Sequence, residues 1–235
     1  MSRPQRWWIA FGLTVVAVVA SYALLDRPIS FFAHEHFVPN RIFVRLTYIP
    51  ESFAATAAAI LVLLGVMSLS GRKLVRCQMV AVTWSVSVLT ATAIKNQLKI
   101  VFGRTWPETW TRDNPSLIHD NAYGFNFFQT PHYGWYESFP SGHTAAICAA
   151  AGVLWICYPR WRVAYGLVVA LVAIGLIGSN FHFLGDIIAG GFLGASVAIV
   201  AVRLAGLEPR SRPRPGADTD AARSKSPELT PPARS

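Results

Sequence analysis

The chain has 235 residues, of which 53% are hydrophobic and only 14% charged, with a formal net charge of +9. So apolar a composition excludes an ordinary water-soluble domain, in which charges interrupt every apolar run. The basic residues lie between apolar segments and toward the C-terminus, not along one amphipathic face, which argues for a membrane as partner and against nucleic acid.

The first apolar segment, 7–25, follows Arg3 and Arg6 and is too long for a signal-peptide core. It lacks a small-residue cleavage site, so it reads as a retained helix. Further apolar segments at 52–70, 78–100, 142–158, 163–180 and 184–204 approach the roughly 20 residues that cross a bilayer core. The fold expected over residues 1–206 is therefore all-α, a polytopic bundle of six transmembrane helices. Cys77, Cys148 and Cys157 fall in or beside these spans without a zinc-like or redox spacing, and read as packing residues.

An even number of spans puts both termini on one side. Arg3, Arg6, Arg72, Lys73, Arg76, Arg160, Arg162 and Arg203 all fall on that side, which the positive-inside rule makes cytoplasmic. The expected location is the inner (plasma) membrane. The opposite face receives 26–51, the long segment 101–141 and the short connection before residue 184. From 207 to 235, proline, arginine, serine and alanine replace the apolar pattern, as expected of a disordered basic cytoplasmic tail.

Three clusters on the outer side carry the chemistry. The third span ends on Lys95, Lys99 and Arg104, cations that either snorkel to the interface or meet an anion. Phe139-Pro140-Ser141-Gly142-His143 precedes the fourth span. Ser141 can cap that helix, Gly142 lets a ligand approach the backbone, and the free N–H groups favour an anion. His182-Phe183-Leu184-Gly185-Asp186 opens the sixth span. Residues four apart share a helical face, so Asp186 can hold one imidazole nitrogen of His182 and leave the other free to attack.

In this order, the clusters resemble the type 2 phosphatidic acid phosphatase superfamily, whose pattern is Lys-x6-Arg-Pro, Pro-Ser-Gly-His and Ser-Arg-x5-His-x3-Asp. Lys99 and Pro107 match the first motif, Pro140 to His143 the second, and His182 with Asp186 the end of the third. The resemblance covers about 50–200 and implies a lipid phosphatase with catalytic His182, His143 and Asp186. His182 would attack phosphorus to form a phosphohistidine, with His143 giving a proton to the leaving oxygen. Lys99, Arg104, Ser141 and Gly142 would bind the phosphate. Neither a metal nor another cofactor is implied.

The sequence departs from this pattern at two arginines, replaced by Trp106 and Leu176, and at a serine, replaced by Gly175. Arg104 is the nearest substitute, with Lys95 and Arg112 as weaker candidates. The segment between Arg104 and Pro140 is rich in aromatic residues, either an interfacial belt or a lid for a lipid chain. His34, His36, His119 and His132 have no motif context and read as surface or interfacial residues. A lipid phosphotransferase would use the same site. A membrane transporter or channel is the reading from another class, although its charges belong near the midplane, not at one helix-end layer.

Overall fold

The protein is described here by a computed structural model covering residues 3–110, 113–128 and 134–208. Arg112, His132 and the expected tail from 209 onward lie outside the described residues. No strand occurs among the described residues, and the helices are α1 (Arg3–Ala20), α2 (Asp26–His36), α3 (Arg41–Thr47), α4 (Phe53–Leu69), α5 (Arg76–Phe102), α6 (Leu117–Asp120), α7 (Gly142–Cys157), α8 (Arg162–Gly178) and α9 (Leu184–Leu204). Helical segments Pro4–His36, Arg76–Phe102, Pro159–Gly178 and Leu184–Leu204 are long and apolar enough to cross a membrane by length and composition. α4 and α7, with 17 and 16 residues, are apolar but shorter.

The main departure from the expected elements is at the start. A connecting segment was expected from residue 26, but the first helix runs on through a π turn at Ser21–Leu25 into α2. Pro28 does not break it because it lies in the first turn of α2, where a missing N–H matters least. The π turn is closed by the Asp26 N–H, which donates to the Ser21 carbonyl five residues back. Its Ser21 hydroxyl also donates to Asp26 Oδ1 at 2.6 Å. An aspartate in the middle of a long apolar helix is thus fixed by its own helix before it meets any partner.

α7 and α9 form the centre of the bundle, and small residues bring them together. A methyl group on Gly190 would stand 2.4 Å from the Ser141 carbonyl oxygen, and one on Gly194 would stand 2.3 Å from that of Ala145. Gly190, Gly194 and Ala198 recur every four residues along one face of α9, a spacing that lets two membrane helices approach to backbone contact. This packing aligns the N-termini of the two helices, and the Ser141 N–H donates to the Asp186 carbonyl at 3.0 Å. His143 and His182 are brought to one place by this junction.

α5 flanks α7 and rises above it. The side chain of Lys95 lies over Gly142, where an added methyl group would meet Lys95 Nζ at 3.1 Å. Lys95 is seven residues before the end of α5, so the start of α7 is sunk roughly 10 Å below that end. The long segment after α5 folds back over this recess.

Candidate active site

His182 follows Asn180, whose positive φ of 56° ends α8 in a tight turn and reverses the chain into α9. The imidazole is nearly buried. Its Nδ1 lies 3.4 Å from Ser138 Oγ and 3.6 Å from Asp186 Oδ2. The Asp186 Oδ2 atom also accepts from the Ser138 hydroxyl at 2.6 Å and from the Phe183 N–H at 3.0 Å. Nδ1 therefore faces a fixed acceptor, and the other ring nitrogen is on the side away from it. Burial lowers the His182 pKa below its ordinary value of 6.5, although the hydrogen bond and charge of Asp186 oppose this. A pKa below 6.5 keeps the ring mainly neutral at neutral pH, with a lone pair on its second nitrogen.

The neutral ring gives a pH expectation. Protonation would occupy the ring nitrogen that faces away from Asp186, and the depressed pKa postpones protonation to more acid solution. The acid limb of kcat/KM should therefore fall below the ordinary value of 6.5. A rate profile of the purified protein checks this, and an acid limb above that value would contradict the neutral assignment.

A cavity of about 400 Å³ opens beside His182. His143 lines it from α7, and the two imidazole centroids are 6.0 Å apart. Lys95 and Lys99, one turn apart on α5, line the wall, with Gly142 at its foot. Lys99 Nζ lies 4.0 Å from Glu137 Oε2 and 5.5 Å from the centre of the Trp106 ring. Lys95 has no carboxylate within 4.0 Å among the described residues. The Gly142 and His143 amides, at the start of α7, have no backbone partner among the described residues. Two cations and two free N–H groups around one cavity make an anion site.

Two residues expected at the phosphate are elsewhere. Ser141 is fully buried, and its hydroxyl caps α7 by accepting from the Thr144 N–H at 3.4 Å. It shapes the helix start without lining the cavity. Arg104 has no exposed surface and lies behind Asp186, not before the histidines. Its Nη1 donates to Asp186 Oδ1 and its Nη2 to Asp26 Oδ2, each at 2.6 Å. Burial acts to lower its pKa, but the carboxylates of Asp186 and Asp26 outweigh this and hold it above the ordinary value. The expected phosphate contact is corrected to a buried ion bridge, because Asp186 and Asp26 claim both ends of the guanidinium.

The sequence reading missed this bridge on its far side. Asp26 is fully buried, and besides Arg104 it accepts from the Gly185 N–H at 3.0 Å. Phe183, with its ring centre 4.3 Å from the guanidinium carbon, and Phe125, at 5.0 Å, close the space around it. Tyr123 stacks on Tyr22 and donates its hydroxyl to the Tyr22 carbonyl at 2.5 Å. Part of the aromatic segment thus walls off Arg104, whereas Trp106 and Trp110 line the cavity.

At the positions of the missing family arginines, Trp106 donates its ring N–H to the Gly134 carbonyl at 2.7 Å and packs against His182, with ring centres 5.2 Å apart. Leu176 is buried among Ile147, Val172 and Ile187. His34 and His119 lie at the surface, as expected, and their rings meet the buried Glu108 at 2.9 and 2.6 Å. Glu108 also accepts from Asn180 Nδ2 at 3.1 Å, two residues before His182.

Residues 80–209 match the PAP2 superfamily. A lipid A 1-phosphatase of Rhizobium etli is 28% identical over 215 residues, covering 85% of this chain and 87% of its own. One from Rhizobium johnstonii is 28% identical over 205 residues, covering 82% and 78%. A solved structure, a transmembrane PAP2 type phosphatidylglycerolphosphate phosphatase from Bacillus subtilis, has a TM-score of 0.53 over 88% of this chain and 98% of its own at 17% identity, a likeness of fold. With more than half of its length matched, and with His143 and His182 facing one cationic cavity, the chain belongs to the PAP2 superfamily.

Proposed function

We propose that this membrane protein is a lipid phosphatase that removes a phosphate group from a lipid through a phosphohistidine at His182. The observation that carries the reading is the convergence of His182, His143, Lys95, Lys99 and the free N-terminus of α7 on one cavity. In the first step the free nitrogen of His182 attacks phosphorus and the bond from phosphorus to the lipid oxygen breaks, while His143 gives that oxygen a proton. In the second, water attacks the phosphohistidine, His143 takes its proton, and inorganic phosphate leaves. Lys95, Lys99 and the amides of Gly142 and His143 neutralise the phosphoryl oxygens. Apart from the attacking water, the roles in this scheme fall to side-chain or backbone groups of the chain itself.

The names of the two Rhizobium relatives make the 1-phosphate of lipid A the first substrate to try. Six spans, both termini in the cytoplasm of the inner membrane and a site at the outer face complete the proposal. Arg72, Arg76, Arg160 and Arg162 support this orientation, since they lie at the ends of α4, α5, α7 and α8 away from the cavity.

The deciding experiment is phosphate release by purified protein from lipid A, phosphatidic acid, phosphatidylglycerol phosphate and undecaprenyl diphosphate in detergent, with His182→Ala as blank. Release from one of them that is absent in the blank is the expected result. Phosphate appearing on a second lipid instead of in solution would mark a transferase. Equal release by the blank would remove His182 from the chemistry.

A further inference from the structure

The turn that carries His182 is held from outside the cavity by a group of side chains that the phosphate chemistry does not use. Glu108, in the segment after α5, is almost fully buried, and its carboxylate meets three side chains. His119 of α6 lies 2.6 Å from Oε1, His34 of α2 lies 2.9 Å from Oε2, and Asn180 Nδ2 donates to Oε2 at 3.1 Å. The same amide donates to the Ser30 carbonyl of α2 at 3.2 Å.

Alternate residues of 106–110 follow the turn at 180–182 as a strap. Trp106 packs against the His182 ring, and Glu108 holds the Asn180 amide. Trp110 donates its ring N–H to the Asn180 carbonyl at 3.3 Å and meets the Phe181 ring edge to face, with 4.4 Å between centres. Among these, Glu108 is the link that also ties the turn to α2 and α6. Its two sides are not equivalent. The His34 and His119 side chains are 39% and 53% exposed, so water can replace the carboxylate there at little cost. Asn180 is buried, and water has no such access to it.

Resting on the lipid phosphatase reading, we propose that Glu108 is a positioning residue for the nucleophile: through Asn180 it fixes the turn from which His182 reaches phosphorus. A misplacement of about 1 Å at a reacting group costs roughly a hundredfold in rate. A clamp two residues from the attacking ring therefore acts on turnover more than on binding.

Glu108→Ala is expected to lower kcat at least roughly tenfold and to change KM less than about twofold, on whichever lipid phosphate the wild type hydrolyses. Glu108→Gln is expected to keep most of the rate. Its carbonyl oxygen can accept from Asn180 while its amide donates to a histidine, since a neutral imidazole keeps one nitrogen as acceptor. Asn180→Gly, in which glycine supplies the positive φ, is expected to reproduce the Glu108→Ala loss, and the double variant to lose no more than either alone. Additive losses, an unchanged kcat, a loss carried by KM, or a Glu108→Gln protein as slow as Glu108→Ala would each overturn the proposal. Carbethoxylation by diethyl pyrocarbonate, followed at each histidine by peptide mass spectrometry, reads the clamp without substrate. Glu108→Ala is expected to speed labelling of His182 at least roughly threefold, as a local opening does, and to leave that of His143 on α7 unchanged. Equal acceleration at both histidines would mean general loosening, and none at His182 would mean no clamp; either overturns the proposal. Selective acceleration at His182 in a protein that releases phosphate from no lipid would uphold the clamp and discard the hydrolytic reading.

Discussion

Replacing Arg104 by alanine is expected to destabilise the protein by about 3–5 kcal/mol, the usual cost of breaking a buried ion pair from one side. The guanidinium is the shared cation of two fully buried carboxylates, Asp26 and Asp186, each 2.6 Å from it. Without it two fully buried negative charges face each other in a space walled by Phe125, Phe183 and Tyr123. Activity should fall as well, because Asp186 would lose the bond that directs Oδ2 at His182. Lysine at 104 should restore little, since one ammonium cannot reach both carboxylates as the two guanidinium arms do. Adding Asp26→Asn to Arg104→Ala should recover part of the loss by removing one of the stranded charges. Thermal unfolding in detergent micelles reads the stability, and phosphate release reads the activity. An Arg104→Ala protein as stable as its parent but inactive would return this residue to the phosphate.

Lys95→Ala is expected to leave the fold nearly intact and to lower kcat by roughly a hundredfold to a thousandfold, the usual effect of removing a positioned donor to a developing charge, about 2.7–4 kcal/mol. Stability should hold because Lys95 has no ion-pair partner among the described residues to strand. The loss should be large because Trp106 and Leu176 stand where the family pattern has arginine, so the cavity has two lysines to meet a doubly charged group. Arginine at 95 should retain part of the activity. Gly142→Ala should act in the same direction but more weakly, since the new methyl would crowd Lys95 Nζ at 3.1 Å. The discriminating variant is Trp106→Arg in the Lys95→Ala background, which returns a cation to the family position beside His182 and is expected to rescue turnover. Single-turnover phosphate release separates these variants, and near-normal turnover by Lys95→Ala would leave the charge to Lys99 alone.

Local pattern made the helices legible. The expected 184–204 coincides with α9, 52–70 exceeds α4 by one residue at each end and 142–158 exceeds α7 by one at its C-terminal end, because apolar length and a capping Ser141 are written in adjacent residues. The histidines were equally plain, since His182 and Asp186 share a helical turn. Arg104 was placed at the right depth and on the wrong side. Sequence gives the level at which a residue leaves a helix, but not which neighbour it will face, and here that neighbour is Asp26, 78 residues away. The apolar run ends at 25, so the sequence assigns 26–51 to the outer face, and only the packed structure reveals that Asp26 is internal. Lys95 passed for a snorkelling side chain because nothing in its own helix reveals that α7 begins beneath it.

The π turn at Ser21–Leu25 acts as an angular adjuster. An α-helix advances about 100° per residue, so the one extra residue taken up by a π turn rotates everything beyond it relative to everything before. Below the turn, Trp7 and Phe11 pack against Phe192 of α9, and above it Asp26 faces Arg104. Both contacts are met by one unbroken helix only because of that offset. Deleting a single residue from 21–25 would keep every functional group in the chain yet swing the Asp26 carboxylate by roughly a quarter turn or more, away from its arginine. The alignment of Asp186 with His182 is thus tied to the length of the first helix, as well as to the identity of the residues that touch it.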